Sequence, residues 1–318
     1  MPITAKLHTL PDGQPAFVHA WEPAQRPRGV VQIVHGMAEH GGRYARLAAA
    51  LNAQGFAVYA QDLPGHGRTA ASRAALGHHG ERGEWLMALS AVHGVRALIE
   101  REQPGIPLFL FGHSMGSFLA QYHLVEHGKG LAGAILSASS ASMGPLRGLG
   151  EALMRLEALL FGADHRSALA EAMSFKDFNR RFRPTRTAAD WLSRDAAEVD
   201  AYVADPYCGF RCSAGLWAGL LRAGAELEAP GRLVRIPKPL PVLLIAGGAD
   251  PVCQNGAGSH RLAIAYRDAG LEFVEIEVYP GARHELLNET CREQVTERLV
   301  EWLRGRVALT YVGVDDSI

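Results

Sequence analysis

The densest chemical signal in the chain is the run Gly112-His113-Ser114-Met115-Gly116, which sets a serine between two glycines. An apolar stretch, residues 107–111, leads into it, and a stretch of helical period begins at Met115. A passage from strand to helix this tight strains its central residue and leaves no room for side chains two positions away, which is what glycine supplies. The hydroxyl is then held out at the end of a sheet, beside a helix N-terminus. A glycine-rich turn that merely closes a strand is the bland alternative. A serine hydroxyl is a weak nucleophile near neutral pH, so it needs a base, and the base needs an acid to orient it.

The elements that must position these groups read as short apolar runs at residues 30–34, 57–60, 107–111, 132–137, 241–247 and 272–279. They alternate with helical periods at 43–54, 84–101, 115–127, 259–268 and 292–304. This is the pattern of a mostly parallel sheet flanked by helices, an α/β fold. In such a sheet, reactive side chains gather where strands end. Asp250 lies in the loop leaving the 241–247 run and His284 in the loop leaving the 272–279 run, so they are the expected acid and base. Asp62, Asp205 and Asp268 are rivals placed before the serine, outside the alternation, or on a helix. His35, His40, His66 and His113 sit in turn-rich stretches and read as backbone-positioning groups; the remaining histidines belong to no motif. Acyl transfer also needs N–H donors for a developing oxyanion, each worth about 3 kcal/mol. The backbone N–H of Met115, next after the serine, and that of Met37, in the loop after residues 30–34, are placed for this.

Of 318 residues, 48% are hydrophobic and 20% charged, which excludes disordered, collagen-like and disulfide-scaffold classes. Lys+Arg is 32 against Asp+Glu 33, so no overall field favours nucleic acid, and a small-molecule substrate is expected. Cys208, Cys212, Cys253 and Cys291 form no CxxC pair, arguing against a metal site and for free thiols in a reducing compartment. The N-terminal stretch is interrupted by Pro and Gly and lacks the apolar core of a signal peptide, so a cytoplasmic protein is expected. Neither metal nor cofactor is implied. The 35 glycines, about 11% against an average of about 7%, concentrate where the expected strands end.

Residues 142–237 interrupt the alternation with helical stretches and no convincing strand, bounded by Gly144-Pro145 and by Pro237, Pro239 and Pro241. The expected organisation is a core of residues 1–141 and 238–318 with a helical insertion at 142–237. Within it Leu146, Leu149, Leu153, Leu156 and Leu160 make one helical stripe, which reads as a helix packed on the core or as a lid that touches lipid. Residues 176–186 hold five basic residues and one acidic residue, either a solvated face or an attraction for an anionic head group. Phe175, Phe178, Trp191, Tyr202, Phe210 and Trp217 would suit an apolar acyl channel or the insertion's own core. Cys253, three residues after Asp250, reads as buried filler.

Taken together, the segments 35–44, 62–68, 112–116, 248–252 and 282–289 resemble the monoacylglycerol lipase and lysophospholipase branch of the α/β-hydrolases, a group labelled serine aminopeptidase-like. The resemblance implies an α/β-hydrolase fold with an inserted helical cap, a triad of Ser114, Asp250 and His284, and an oxyanion hole at Met37 and Met115. It implies no cofactor, no metal, and hydrolysis of monoacylglycerols, lysophospholipids or similar acyl esters, with possible transient contact between the cap and a membrane or lipid aggregate. Substrate-binding residues and oligomeric state are not implied. One departure is Arg68-Thr69, where the family has serine; threonine supplies the same hydroxyl. An acyltransferase, an amidase or aminopeptidase, or a perhydrolase would share the triad, and a binding protein would share the scaffold.

Overall fold

The computed structural model describes residues 3–80 and 84–315. Its elements run β1 (Ile3–Thr9), β2 (Pro15–Trp21), β3 (Gly29–Val34), α1 (Ala45–Ala53), β4 (Phe56–Gln61), α2 (Glu84–Glu102), β5 (Leu108–His113), α3 (Met115–His127) and β6 (Gly133–Ser137). Then come α4 (Arg147–Phe161), α5 (Ala168–Met173), α6 (Phe175–Arg180), α7 (Ala196–Ala204) and α8 (Ala214–Leu227). The alternation resumes with β7 (Val242–Gly247), α9 (Ala257–Asp268), β8 (Val274–Tyr279) and α10 (Arg292–Asp315).

The strands form one eight-stranded sheet in the order β1-β2-β4-β3-β5-β6-β7-β8, antiparallel at β1, β2 and β4 and parallel beyond. The α/β fold expected from the alternation is therefore present. Along β5, Leu108 and Leu110 join the core under α2, α3 and α9, while Phe109 and Phe111 join the opposite core under α1 and α10. Burial on both faces explains why the central strands read as unbroken apolar runs. The chain leaves β3 toward β4 on one side and toward β5 on the other. This reversal opens a crevice at the carboxyl ends of β3 and β5.

Strands β1 and β2 lie outside the expected apolar runs, and Pro11 and Gly13 between them turn a hairpin. Gly13 adopts φ +85°, the Leu10 N–H donates to the Gln14 carbonyl at 2.8 Å, and β1 pairs with β2. Helix α3, whose Phe118, Leu119, Tyr122 and Val125 form one apolar stripe in the sequence, is buried from Met115 to Val125 on every side because α2 and α8 cover its outer face.

Residues between β6 and β7 form five helices. Helix α8 shares the main core through Leu216, Leu220, Ala223 and Leu227, whereas Ala189, Trp191, Leu192 and Val199 build a small core of their own. Of the leucine stripe, Leu149, Leu156 and Leu160 in α4 and Leu146 just before it are more than half exposed, as are Leu159 and Phe161 beside it, while Leu153 is half-buried and Leu146 borders the cavity at Ser114. Among the described residues no helix is long and apolar enough to cross a membrane.

Candidate active site

Ser114 sits between the end of β5 and the start of α3 with φ 53° and ψ −122°, a conformation that costs a non-glycine residue about 1–3 kcal/mol. Neighbouring bonds hold it there. The Ser114 N–H donates to the Ser137 carbonyl at 3.0 Å, and the Ser114 carbonyl accepts from the Ser117 N–H at 2.8 Å and the Ser117 hydroxyl at 2.6 Å. The turn closes only because position 116 is glycine: a Cβ there would lie 2.1 Å from the Val34 carbonyl oxygen. The end of β3 thus runs directly beneath the serine. A methyl at Gly36 would lie 3.2 Å from the Ser114 Cβ, so the Met37 loop borders Ser114.

Two buried histidines shape that loop. The Nδ1 of His66 donates to the Pro64 carbonyl at 2.9 Å and its Nε2 accepts the Ala38 N–H at 3.2 Å. His35 accepts the Leu63 N–H at 2.9 Å. Burial holds the pKa of both rings below the ordinary imidazole value, as acceptor roles require. Among the described residues neither the Met37 nor the Met115 N–H donates to a protein acceptor. That of Met115 is an unsatisfied donor of the first turn of α3. Asp62 is committed elsewhere: it accepts from Gly41 and Arg68 N–H groups at 2.8 and 2.7 Å and from His19 at 3.2 Å. The Thr69 hydroxyl donates to the Asp62 carbonyl at 2.7 Å, filling the place expected for a serine.

Asp250 and His284 meet at the ends of β7 and β8. The exit of β7 lies against the loop after β8, since a Cβ at Gly247 would stand 2.1 Å from the Arg283 carbonyl oxygen. His284 Nδ1 donates to Asp250 Oδ2 at 3.0 Å, with both residues buried. Burial alone would lower the His284 pKa; the adjacent Asp250 charge and hydrogen bond, joined by Glu285 and Glu39, raise it above the usual imidazole value. The His284 ring lies 4.8 Å from that of His113, the residue before Ser114, and 4.8 Å from that of Trp191. Among the described residues no hydrogen bond joins Ser114 Oγ to His284, a contact that in unliganded sites commonly closes only with substrate bound. Asp205 pairs with His40 at 3.0 Å, and Asp268 remains at the end of α9.

Three contributions escaped sequence reasoning. The Cys253 thiol donates to Asp250 Oδ2 at 3.2 Å, so the residue read as filler bonds the same oxygen as His284. Its spacing of three from Asp250 was the available signal. Trp191 reaches His284 from the insertion, which no local pattern marks. The loop carrying His284 is also tied to the insertion by Glu289, which accepts the N–H groups of Arg283 and Arg194 at 2.9 and 3.0 Å.

Ser114, Met37 and Met115 open onto a cavity of about 380 Å³ walled by Phe175, Phe178, Trp191 and Trp217. Tyr202 and Phe210 stand outside it: Tyr202 donates to the Ala38 carbonyl at 3.1 Å and Phe210 packs on His66.

Residues 25–291 match the family model described as serine aminopeptidase, S33. A monoacylglycerol lipase of Mycolicibacterium smegmatis is 29% identical over 89% of this chain and 90% of its own. A monoglyceride lipase of Homo sapiens is 29% identical over 93% and 89% respectively. A thermostable carboxyl esterase of Bacillus coagulans superposes with a TM-score of 0.87 at 28% identity, covering 96% of this chain and 99% of the esterase. The chain belongs to the serine aminopeptidase S33 family and is a serine ester hydrolase of the α/β-hydrolase fold.

Proposed function

We propose that Ser114 attacks the carbonyl carbon of a monoacylglycerol, lysophospholipid or similar acyl ester while His284 takes its proton. Asp250 orients the imidazole and stabilises the imidazolium, and the Met37 and Met115 N–H groups receive the oxyanion. His284 then protonates the departing alcohol. Water, activated by the same histidine, releases the carboxylic acid from the acyl-serine. Residues 142–237 act as a cap on a core of residues 1–141 and 238–318.

The observation that carries this reading is the cavity. It begins at Ser114, falls in the size range of small-molecule sites, and is walled by aromatic and aliphatic side chains. That wall suits an acyl chain. It argues against an aminopeptidase, because an α-ammonium group needs a carboxylate and none lines the cavity among the described residues. Arg147 and Arg181 stand on the wall instead, which favours an anionic head group such as that of a lysophospholipid as a second substrate class. The exposed α4 stripe supports transient contact with lipid aggregates. Four free thiols accord with a cytoplasmic setting.

A panel of monoacylglycerols, lysophospholipids and p-nitrophenyl esters beside amino-acid anilides tests the reading. Ester turnover above every anilide rate is expected. An anilide rate above every ester rate overturns it.

A further inference from the structure

We propose that Arg43 is a positioning residue that locks the Met37 loop to the His284 loop, so that oxyanion donor and base keep one mutual geometry. The inference rests on the roles given above to Met37 and His284. Arg43 leaves a single 3₁₀ turn, Gly41–Tyr44, just after β3. Its Nη1 and Nη2 donate to both oxygens of Glu285, each at 2.7 Å, and Nη1 donates also to Glu39 Oε2 at 2.9 Å. Glu285 follows His284 in the chain. The other Glu39 oxygen accepts the Gly36 N–H at 2.6 Å and the Tyr44 hydroxyl at 3.1 Å, and Gly36 precedes Met37. One guanidinium therefore joins the two loops whose ends must meet the reacting carbonyl.

The third side is closed by the helical insertion. The Arg43 guanidinium lies 4.9 Å from the centre of the Tyr202 ring, and the Ala38 carbonyl, next to Met37, accepts from the Tyr202 hydroxyl at 3.1 Å and the Gly209 N–H at 2.9 Å. All three ionic side chains are nearly buried, at 12% exposure for Arg43, 5% for Glu39 and 7% for Glu285. Burial would raise both carboxyls, but the guanidinium holds Glu285 low and, with His113 and His35, brings Glu39 down to about 2. A buried ion cluster of this kind adds little stability over an apolar filling. What a planar, bidentate guanidinium adds is direction. Arg43 touches no reacting atom in this scheme; it acts through Gly36 and Glu285.

Arg43→Lys in the full-length chain tests this on a soluble ester, p-nitrophenyl butyrate. Lysine keeps the charge and loses the second prong. The expected result is a folded protein whose kcat falls about 10- to 100-fold with KM within about threefold. Affinity for a trifluoromethyl ketone, which mimics the oxyanion adduct, should weaken by the same factor as kcat/KM. A folded Arg43→Lys with kcat within twofold of the parent, or a loss lying wholly in KM, overturns the proposal. Should that variant not fold, Glu285→Gln decides. Asp250, Glu39, Glu285 and His113 are the charged or titratable groups around His284, and removing one negative charge from them should move the acid limb of kcat/KM to lower pH while kcat drops. An unmoved limb with parental kcat overturns the clamp. An active Ser114→Ala would instead sink the underlying assignment, whereas an inactive Ser114→Ala beside a fully active Arg43→Lys sinks the clamp alone.

Discussion

Replacing Gly116 with alanine tests whether Ser114 and the Met37 loop, the proposed nucleophile and oxyanion donor, are built as one unit. The added Cβ would lie 2.1 Å from the Val34 carbonyl oxygen and 2.4 Å from that of His35, where real Cβ atoms essentially never come within 3.0 Å. Both obstacles are backbone, so no side chain can swing aside. The end of β3 must retreat by about 0.9 Å, a shift carried directly to Met37. Overpacking of this kind costs about 1–3 kcal/mol, and a displacement near 1 Å in a donor costs about 100-fold in rate. The assay pairs a thermal melt with turnover of p-nitrophenyl acetate. Gly116→Ala should melt at least about 2 °C lower and lose about two orders of magnitude in kcat. Gly148 in α4, with nothing within 4 Å of its position, is the control; alanine there should leave the rate unchanged and add up to about 1 kcal/mol of stability. A Gly116→Ala protein with parental Tm and kcat would refute the reasoning.

The remaining predictions concern the base, its carboxylate and the surface around the cavity. The proposed base, His284, acts when neutral, so its raised pKa means that kcat/KM on a soluble ester falls as pH drops through a midpoint above 6.5; a midpoint below 6.5 contradicts the environment described for it. Cys253→Ala removes a donor from Asp250 Oδ2 and leaves that oxygen to His284 alone. The acid limb should move up by a fraction of a pH unit, with less than about tenfold loss of kcat, and Cys253→Ser should restore it; pH–rate profiles of both variants check this. Leu159 and Leu160 are 82% and 64% exposed and outside the cavity wall. Changing both to aspartate should cut hydrolysis of dispersed monoacylglycerol at least about tenfold while sparing p-nitrophenyl butyrate; equal effects on the two substrates would remove the lipid-contact role.

Much of the fold was legible because physics writes it locally. Strands buried on both faces need mainly apolar runs, and β3 through β7 are such runs, whereas the edge strand β8 alternates Val, Ile and Val with Glu275 and Glu277. The elbow at Ser114 needs glycine on both sides, and the strand exits place Asp250 and His284 by chain order. Other features depend on what meets what across long separations. The β1–β2 hairpin was missed because Pro11 and Gly13 look alike in a turn and in a break. The α4 stripe has the same period whether it faces a core or solvent, and only the packing of Met154 inward decides that most of the leucines point out. Nothing near Trp191 in the sequence announces a ring against His284, and the Arg43 fork spans 242 positions to reach Glu285.

The central claim is that Ser114 is the nucleophile. Purified protein treated with a fluorophosphonate and analysed by peptide mass spectrometry addresses it most directly. The account predicts a single phosphonyl adduct on the peptide containing Ser114, absent from Ser114→Ala. An adduct that persists in Ser114→Ala, or a parent protein that takes none, would contradict it.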